Sequence, residues 1–393
     1  MHRPSHLLSL PQGDAPNPTD EHWMRRCLTL ASRGAGYVSP NPLVGAVLVD
    51  PAGIVLGEGG HERYGEAHAE RNAIHDAEHR HAGHRFQDAT LYVNLEPCNH
   101  HGKTPPCTDI LLEKGIRRVV VGMIDPYPAV AGRGIARLRE AGVEVTVGVL
   151  EAECRRLNEA FLHHVQNGRP LVTLKWAQTL DGRVATVSGD SRWVSGEAAR
   201  ALVHRWRSEM DGVMVGAGTA AADNPSLTVR HVSGRQPVRL VLDRMGRLPV
   251  HLHLFADAWA AYTLAVVGEQ ASPAYERPLR DAGGRLVRVP EREGHLDLEA
   301  VFACLGESGG REERPMTSVL VEAGPGLAKA LIDRDLADRL CVFVAPKLLG
   351  AGRPALAGSG VERMADARTF AESRWEQVGE DLLFCGYRRL QGF

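Results

Sequence analysis

His68-Ala69-Glu70 and, thirty residues on, Pro97-Cys98 followed by Cys107 set one imidazole, two thiols and a carboxylate within forty residues. One imidazole and two thiolates suit a zinc ion that keeps its fourth position open to water. Zinc held this way lowers the pKa of its water to about 7. Glu70 need not be a ligand, because a carboxylate two residues from the imidazole can move protons on and off that water. One feature is unusual: eight residues, Asn99 to Pro106, separate the cysteines.

Local elements must hold these groups together. His68–Glu78 has helix-forming composition, so His68 opens a helix. A strand over Leu91–Leu95 leaves Cys98 in the loop that follows, and a helix over Thr108–Lys114 sets Cys107 at its start. A helix N-terminus lowers a thiol's pKa and favours the thiolate a metal needs. Pro97 and Pro105-Pro106 stiffen both approaches. Taken singly, a histidine among eighteen or a cysteine among seven is more often a packing residue. The combination points to a catalytic metal. A closed structural site would need a fourth protein ligand, which His100 or His101 could supply, but it would give Glu70 no task.

The rest of the chain alternates strands and helices. Asp20 can cap a helix with a stripe of Trp23, Met24, Cys27, Leu28 and Ala31. Strands follow at Leu43–Val49 and Gly53–Gly57, then at Arg118–Met123 and Val143–Val147, with a helix at Gly134–Glu140 between the last two. This is an α/β pattern, a sheet flanked by helices. A polar, helix-like segment over Glu151–Gly168 ends in Asn167-Gly168-Arg169-Pro170. The expected organisation is therefore a mobile tail over 1–19, one domain over 20–150, a linker over 151–170 and a second α/β domain over 171–393. In that second domain strands are expected at Leu171–Trp176, Gly212–Val215, Val238–Leu242, Thr263–Val267, Leu286–Val289, Ser318–Val321 and Leu340–Val344. A helix is expected near Gly196–Glu209, and an exposed loop over 305–316.

Two turns in the second half have the form of phosphate cradles. Gly216-Ala217-Gly218-Thr219 follows a strand, and Gly324-Pro325-Gly326 links the Ser318–Glu322 strand to a helix over Leu327–Ile332. Amides at a helix N-terminus receive phosphate. No acidic residue stands about twenty positions on, Asp243 being too late, so a Rossmann domain is not assigned.

Net charge of -2 gives no footing for a nucleic-acid partner. Seven scattered cysteines are too few for a disulfide scaffold and suit a reducing compartment. No run of the sequence approaches a membrane span, and residues 1–19 hold no apolar stretch of signal-peptide length. A cytoplasmic protein without membrane contact is expected, its oligomeric state left open, a homo-oligomer included.

His68, Glu70 and the Pro97-Cys98 pair follow the H-x-E…P-C zinc-deaminase pattern. Ser39-Pro40-Asn41-Pro42-Leu43-Val44-Gly45, His61, Gly65-Glu66-Ala67-His68-Ala69-Glu70 and the run from Glu96 to Cys107 resemble the bifunctional RibD family of riboflavin biosynthesis. The long cysteine spacing separates that family from cytidine and tRNA-adenosine deaminases. Lys175–Arg183, Ser188–Trp193, Gly216–Thr219, Asp223–Arg230, Glu322–Gly326 and Ala345–Gly350 are similar to the same family's reductase.

The resemblance implies a cytidine-deaminase-like three-layer αβα domain followed by a dihydrofolate-reductase-like α/β domain. It makes His68, Cys98 and Cys107 the ligands of one zinc ion per chain and Glu70 the proton carrier. It makes Asn41, His61, His100, Lys103 and Thr104 contacts to a pyrimidine or its ribose phosphate. Ala177, Trp193, Thr219, Asp223, Gly324, Pro325, Gly326, Leu327, Ala328, Lys329 and Ala330 are implied to hold NADPH. Lys175, Ser191, Arg207, Leu227, Arg230 and Glu322 are implied to hold the reductase substrate, Arg207 and Arg230 suiting its phosphate. No residue stands out as the acid of the reduction, Lys175 and Glu322 being the candidates. The implied partner is a small pyrimidine ribose phosphate. The rival readings are a deaminase of cytidine or an RNA base, and a zinc-stabilised module without turnover.

Overall fold

The computed structural model describes residues 18–81, 86–101, 105–128, 130–358 and 360–388. Most of the tail expected over 1–19, together with Lys103 and Thr104, lies outside these residues. The chain divides into two compact units, Met1–Leu162 and His163–Phe393. No helix among the described residues is long and apolar enough to cross a membrane.

The first unit contains α1 (Pro18–Ser32), β1 (Gly45–Val49), β2 (Val55–Gly60), α2 (Ala69–Arg80), β3 (Thr90–Val93) and α3 (Cys107–Glu113). It continues with β4 (Arg118–Val121), α4 (Arg133–Glu140), β5 (Glu144–Val147), α5 (Glu151–Leu157) and α6 (Glu159–Asn167), the last of which runs into the second unit. Among the described residues its sheet has the order β2-β1-β3-β4-β5. The first three strands pair antiparallel and the last three parallel. Strand alternation sends Ala46 and Leu48 to one face, where α2, α3 and α4 supply Ala73, Leu111 and Leu138. Val47 and Val49 face the other way, onto Met24 and Cys27 of α1 and Cys154 of α5. The result is the three-layer αβα arrangement implied by the resemblance.

Bare backbone brings α2 onto the sheet. A Cβ on Gly57 would fall 2.3 Å from the Ala73 carbonyl oxygen, and one on Gly59 would fall 2.5 Å from Asn72 Cβ. The helix-like stretch expected over 151–168 is two helices, broken at Asn158. The Asn158 side chain reaches back to accept from Leu43 N–H and donate to the Leu43 carbonyl. Cys154 and Leu162 pack into the core under α1, so this stretch is built into the fold.

The second unit begins with β6 (Leu171–Thr179), β7 (Arg183–Ala185), α7 (Glu197–Glu209), β8 (Gly212–Gly216), α8 (Ala217–Asp223) and β9 (Val238–Leu242). Next come α9 (His253–Ala256), β10 (Thr263–Gly268), α10 (Pro273–Asp281), β11 (Arg285–Val289), β12 (Glu291–Arg292), β13 (His295–Leu296) and α11 (Leu298–Ser308). It closes with β14 (Ser318–Glu322), α12 (Pro325–Asp333), β15 (Arg339–Ala345), β16 (Arg353–Pro354), β17 (Phe370–Val378) and β18 (Asp381–Arg388). Among the described residues the main sheet runs β11-β10-β9-β8-β14-β6-β15-β18-β17. It is parallel as far as β15 and antiparallel across β15, β18 and β17. Helices α11 and α12 cover one face, and α7, α8, α9 and α10 the other.

Two local expectations fail here. Helix α1 begins at Pro18, so Asp20 lies within its first turn and is not its cap. The segment 305–316 is not an exposed loop throughout, because α11 runs to Ser308 and both Leu305 and Met316 are fully buried. Leu298, Val301, Phe302 and Leu305 form an i, i+3, i+4, i+7 stripe that outweighs the glycines and charges after it.

Candidate active sites

In the first unit the elements converge at the end of α2. His68 is the N-cap residue of that helix, with extended backbone and no capping hydrogen bond from its side chain. Its Nδ1 lies 3.6 Å from Cys98 Sγ and 3.4 Å from Cys107 Sγ. Tetrahedral zinc with ordinary Zn–N and Zn–S bonds separates its N and S ligands by about 3.6 Å. The donor set fits the ion in type and spacing. Among the described residues these three form the one clustered set, and exposed His100 is not in it. That observation favours three protein ligands with an open fourth position. Cys107 begins α3, and its N–H donates to Cys98 Sγ. Hydrogen bonding from the Cys107 thiol and from His68 pushes the Cys98 thiol well down, against the effect of burial.

Glu70 sits in the first turn of α2 and is 3% exposed. Burial first, then the charge of the Cys98 sulfur, pushes its carboxyl up to about 7. His61 Nδ1 lies 3.1 Å from the Ala67 carbonyl and its Nε2 lies 3.2 Å from Asn41 Nδ2. The carbonyl requires a proton on Nδ1, which makes Nε2 the acceptor of the Asn41 amide. Burial lowers the pKa of His61, in keeping with a neutral ring, which stands edge-on to His68 at 5.3 Å. Asn41 and His61 therefore join the cluster, while His100 lies beside the Tyr127 ring.

Two further residues of this site were not singled out from the sequence. Glu96 is buried and accepts N–H groups of Asp125, Gly132, Gly134 and Ile135, joining the Cys98 segment to the start of α4. Asp125 is buried beyond the end of β4, and burial, with the charges of Glu96 and Cys98, raises its carboxyl to about 6. Its signal was its place just past the carboxyl end of a parallel strand, where α/β sheets bind ligands.

In the second unit Lys175 stands in β6 between Glu322 of β14 and Cys341 of β15. Arg207 of α7 holds Glu322 bidentately at 2.6 and 2.9 Å and donates to the Thr228 carbonyl at 3.0 Å. Burial alone would raise the Glu322 carboxyl, but the charges of Arg207 and Lys175 hold it at about 2. Burial lowers the Lys175 ammonium. Three N–H groups of Arg207 thus serve protein acceptors, whereas Arg230 is exposed and donates from its side chain to Thr228 Oγ1.

The two cradle turns meet, for a Cβ on Gly324 would lie 2.8 Å from Thr219 Oγ1. They follow β8 and β14, which are neighbouring parallel strands. Gly324 is the N-cap of α12 and Pro325 its first residue. The Ala328 methyl is fully buried in the core and Leu227 is 1% exposed, so these two side chains face inward. Trp193 is exposed under the Arg200 guanidinium at 4.7 Å, and Lys347 donates to its carbonyl. Arg192 donates to the Asp223 carbonyl, bringing the Ser191–Trp193 segment to the end of α8. Ala177 lies in β6 against the α7-side core. Lys329 and its neighbours Leu327 and Ala330 continue the first turns of α12, with Lys329 paired to Asp333.

Comparison with known proteins agrees with this geometry. Residues 17–123 match the cytidine and deoxycytidylate deaminase zinc-binding region, and residues 170–384 match the RibD C-terminal domain. The riboflavin biosynthesis protein RibD of Actinobacillus pleuropneumoniae is 40% identical over 378 residues, covering 95% of this chain and 96% of that protein. RibD of Escherichia coli K12 is 40% identical over 380 residues, covering 92% and 98%. The solved structure of Acinetobacter baumannii RibD superposes with a TM-score of 0.83 at 34% identity, covering 95% of this chain and 99% of that one. A diaminohydroxyphosphoribosylaminopyrimidine deaminase/5-amino-6-(5-phosphoribosylamino)uracil reductase from Thermotoga maritima gives a TM-score of 0.81 at 36% identity, covering 94% and 99%. The chain belongs to the RibD family, bifunctional enzymes of riboflavin biosynthesis with a zinc-dependent deaminase half and an NADPH-dependent reductase half.

Proposed function

We propose that residues 20–150 deaminate 2,5-diamino-6-(5-phosphoribosylamino)pyrimidin-4(3H)-one, with Glu70 as the proton carrier, and that residues 171–393 reduce the product. The observation that carries this reading is Glu70, buried in the first turn after His68 and beside both thiols. His68, Cys98 and Cys107 would hold the zinc, which would supply a Lewis acid for water at neutral pH. Glu70 takes a proton from the attacking water and delivers it to the departing amino nitrogen, so one water enters and ammonia leaves. Asn41 and His61, which stand beside His68, orient the ring, and Asp125 offers a further carboxyl near Cys98. Lys103 and Thr104 are assigned to the pyrimidine or its phosphate from the family motif alone.

In the reductase half a bound NADPH would supply the hydride for conversion of the ribosyl to a ribityl chain. The Gly324 to Ala330 turn and helix, with Ala177, Trp193, Thr219 and Asp223, cradle it through backbone amides and the exposed indole. Lys175 supplies the proton, since Glu322 is held ionised and has none to give at neutral pH. Ser191 and Arg230 line the substrate, Arg230 with donors to spare for its phosphate, while the Leu227 side chain packs in the core. Arg207 acts through Glu322 rather than on the phosphate. The partner is a small pyrimidine ribose phosphate, and a reducing cytoplasmic setting suits seven cysteines outside any disulfide.

The test follows ammonia and NADPH oxidation together. Glu70→Gln should lower ammonia release by about 10²–10⁴-fold. Reduction of supplied deaminated intermediate should persist. Loss of both activities would refute separate sites, and release of ammonia from cytidine but not from the pyrimidine phosphate would refute the substrate.

A further inference from the structure

Away from the zinc ligands, two thiols meet in the second unit. Cys341 of β15 and Cys385 of β18 are directly opposed in antiparallel register. They are 1% and 3% exposed, with their Sγ atoms 3.0 Å apart. Opposed antiparallel residues have Cα atoms about 4.5–5.5 Å apart. That separation falls within the span of about 4.4–6.8 Å that a disulfide bridges. The register and the closeness of the sulfurs therefore suit a bond.

The surroundings make one sulfur the nucleophile. Cys385 registers with Arg374 of β17. Hydrogen bonding from the Cys341 thiol, then the charges of Arg339 and Arg374, hold the Cys385 thiol below its ordinary value against the effect of burial. Thiolate is the reactive form. On the other flank Cys341 registers with Lys175, and Lys175 with Glu322. The thiols thus extend, across four neighbouring strands, the row that begins at the Glu322–Arg207 pair. Neither thiol has a task in the deamination or the reduction.

We propose that Cys341 and Cys385 form an oxidation site that closes to a cross-strand disulfide with a peroxide as the two-electron oxidant. The Cys385 thiolate attacks one peroxide oxygen, the O–O bond breaks and hydroxide leaves, giving a sulfenic acid. The Cys341 sulfur then attacks that sulfur, the S–S bond forms and water leaves. Two thiols lose two electrons and two protons, and one peroxide becomes two waters. In a reducing compartment thiol exchange reopens the bond, so it is a transient mark.

The test treats the zinc-loaded full chain with hydrogen peroxide, alkylates free thiols and reads the unreduced tryptic digest by mass spectrometry. Cleavage at Arg339, Lys347, Arg374 and Arg388 puts the two thiols on peptides 340–347 and 375–388, neither with another cysteine. The expected product is these two peptides joined, two hydrogens lighter than their sum and separated again by dithiothreitol. The oxidised second unit should also melt roughly 5 °C higher. Recovery of both peptides alkylated overturns the proposal. So does sulfinic acid on Cys385 without a link, or a link from either peptide to a different cysteine. All three readouts come from the native sequence, so a variant that fails to fold cannot obscure the answer.

Discussion

Glu70 and Glu322 are the same side chain, both set into the protein beside a functional group, and their carboxyls are driven in opposite directions. Glu70 has thiols for neighbours, and burial raises it to about 7. Glu322 has a guanidinium on both oxygens and an ammonium alongside, and it is held at about 2. Burial acts the same way on both, so the neighbouring charges decide the sign. The first carboxyl is poised to exchange a proton near neutrality. The second is a fixed negative charge that keeps Arg207 and Lys175 in place. Two carboxylates in one chain thus take two jobs because of what surrounds them.

The largest effect that separates the two regions is metal removal. Chelation should bring ammonia release down to the blank while NADPH oxidation on supplied deaminated intermediate stays at its starting rate. A parallel fall in both rates would break the contrast between a metal-dependent and a metal-independent half.

Substitution of the two glutamates should separate them again. Glu322→Gln leaves the Arg207 guanidinium, 9% exposed, facing a neutral amide. Breaking a buried pair in this way costs about 3 kcal/mol or more. Urea unfolding of the second unit should show the loss, and reduction should fall with it. Glu70→Gln removes no ion pair among the described residues and relieves a carboxyl that burial disfavours as the anion, so it should cost the first unit less than about 1 kcal/mol. Equal losses in the two variants would mean that Arg207 does not depend on Glu322.

Acid titration sharpens the same point. Glu322 has a folded pKa of about 2 against an ordinary 4.5. Between these values the unfolded chain binds the extra proton, so stability rises with pH. Its contribution is whole above pH about 4.5 and is lost as pH falls toward about 2, for a total of about 3 kcal/mol. The second unit should lose this increment over that window, and Glu322→Gln should lack it. A variant with the wild-type acid profile would place the charge effect elsewhere.

Both glutamates were named from the sequence, but only one environment was legible there. The zinc set could be read because its parts are local: His68 opens a helix, Cys107 opens another, and the types alone specify the chemistry. The pairing of Arg207 with Glu322 joins residues 115 apart, and no spacing rule relates them. Arg207 read as a phosphate contact, and the sequence held no sign that three of its N–H groups are turned to Glu322 and the Thr228 carbonyl. Glu96 was passed over for a related reason, since its two oxygens accept from four backbone amides, which have no sequence identity. In the 305–316 segment a local rule failed. Glycines and charges suggested a loop, while a stripe that starts at Leu298 carried the helix on to Ser308.

The smallest expected effect concerns how the two units start their helices. Asp297 caps α11 in the ordinary way, its carboxylate accepting from Glu299 and Ala300 N–H. Asp297→Ala should cost the second unit about 1 kcal/mol. His68 holds the same position on α2 but makes no capping bond, because its ring is turned to the thiols. A residue that can cap should therefore stabilise α2 while it removes the ligand. His68→Asn is expected to abolish ammonia release yet raise the stability of the first unit in the chelator-treated protein by about 0.5–1 kcal/mol. Urea unfolding without metal reads this gain directly. A loss of stability would show that the imidazole contributes more by packing against His61 than a side-chain cap contributes to the helix.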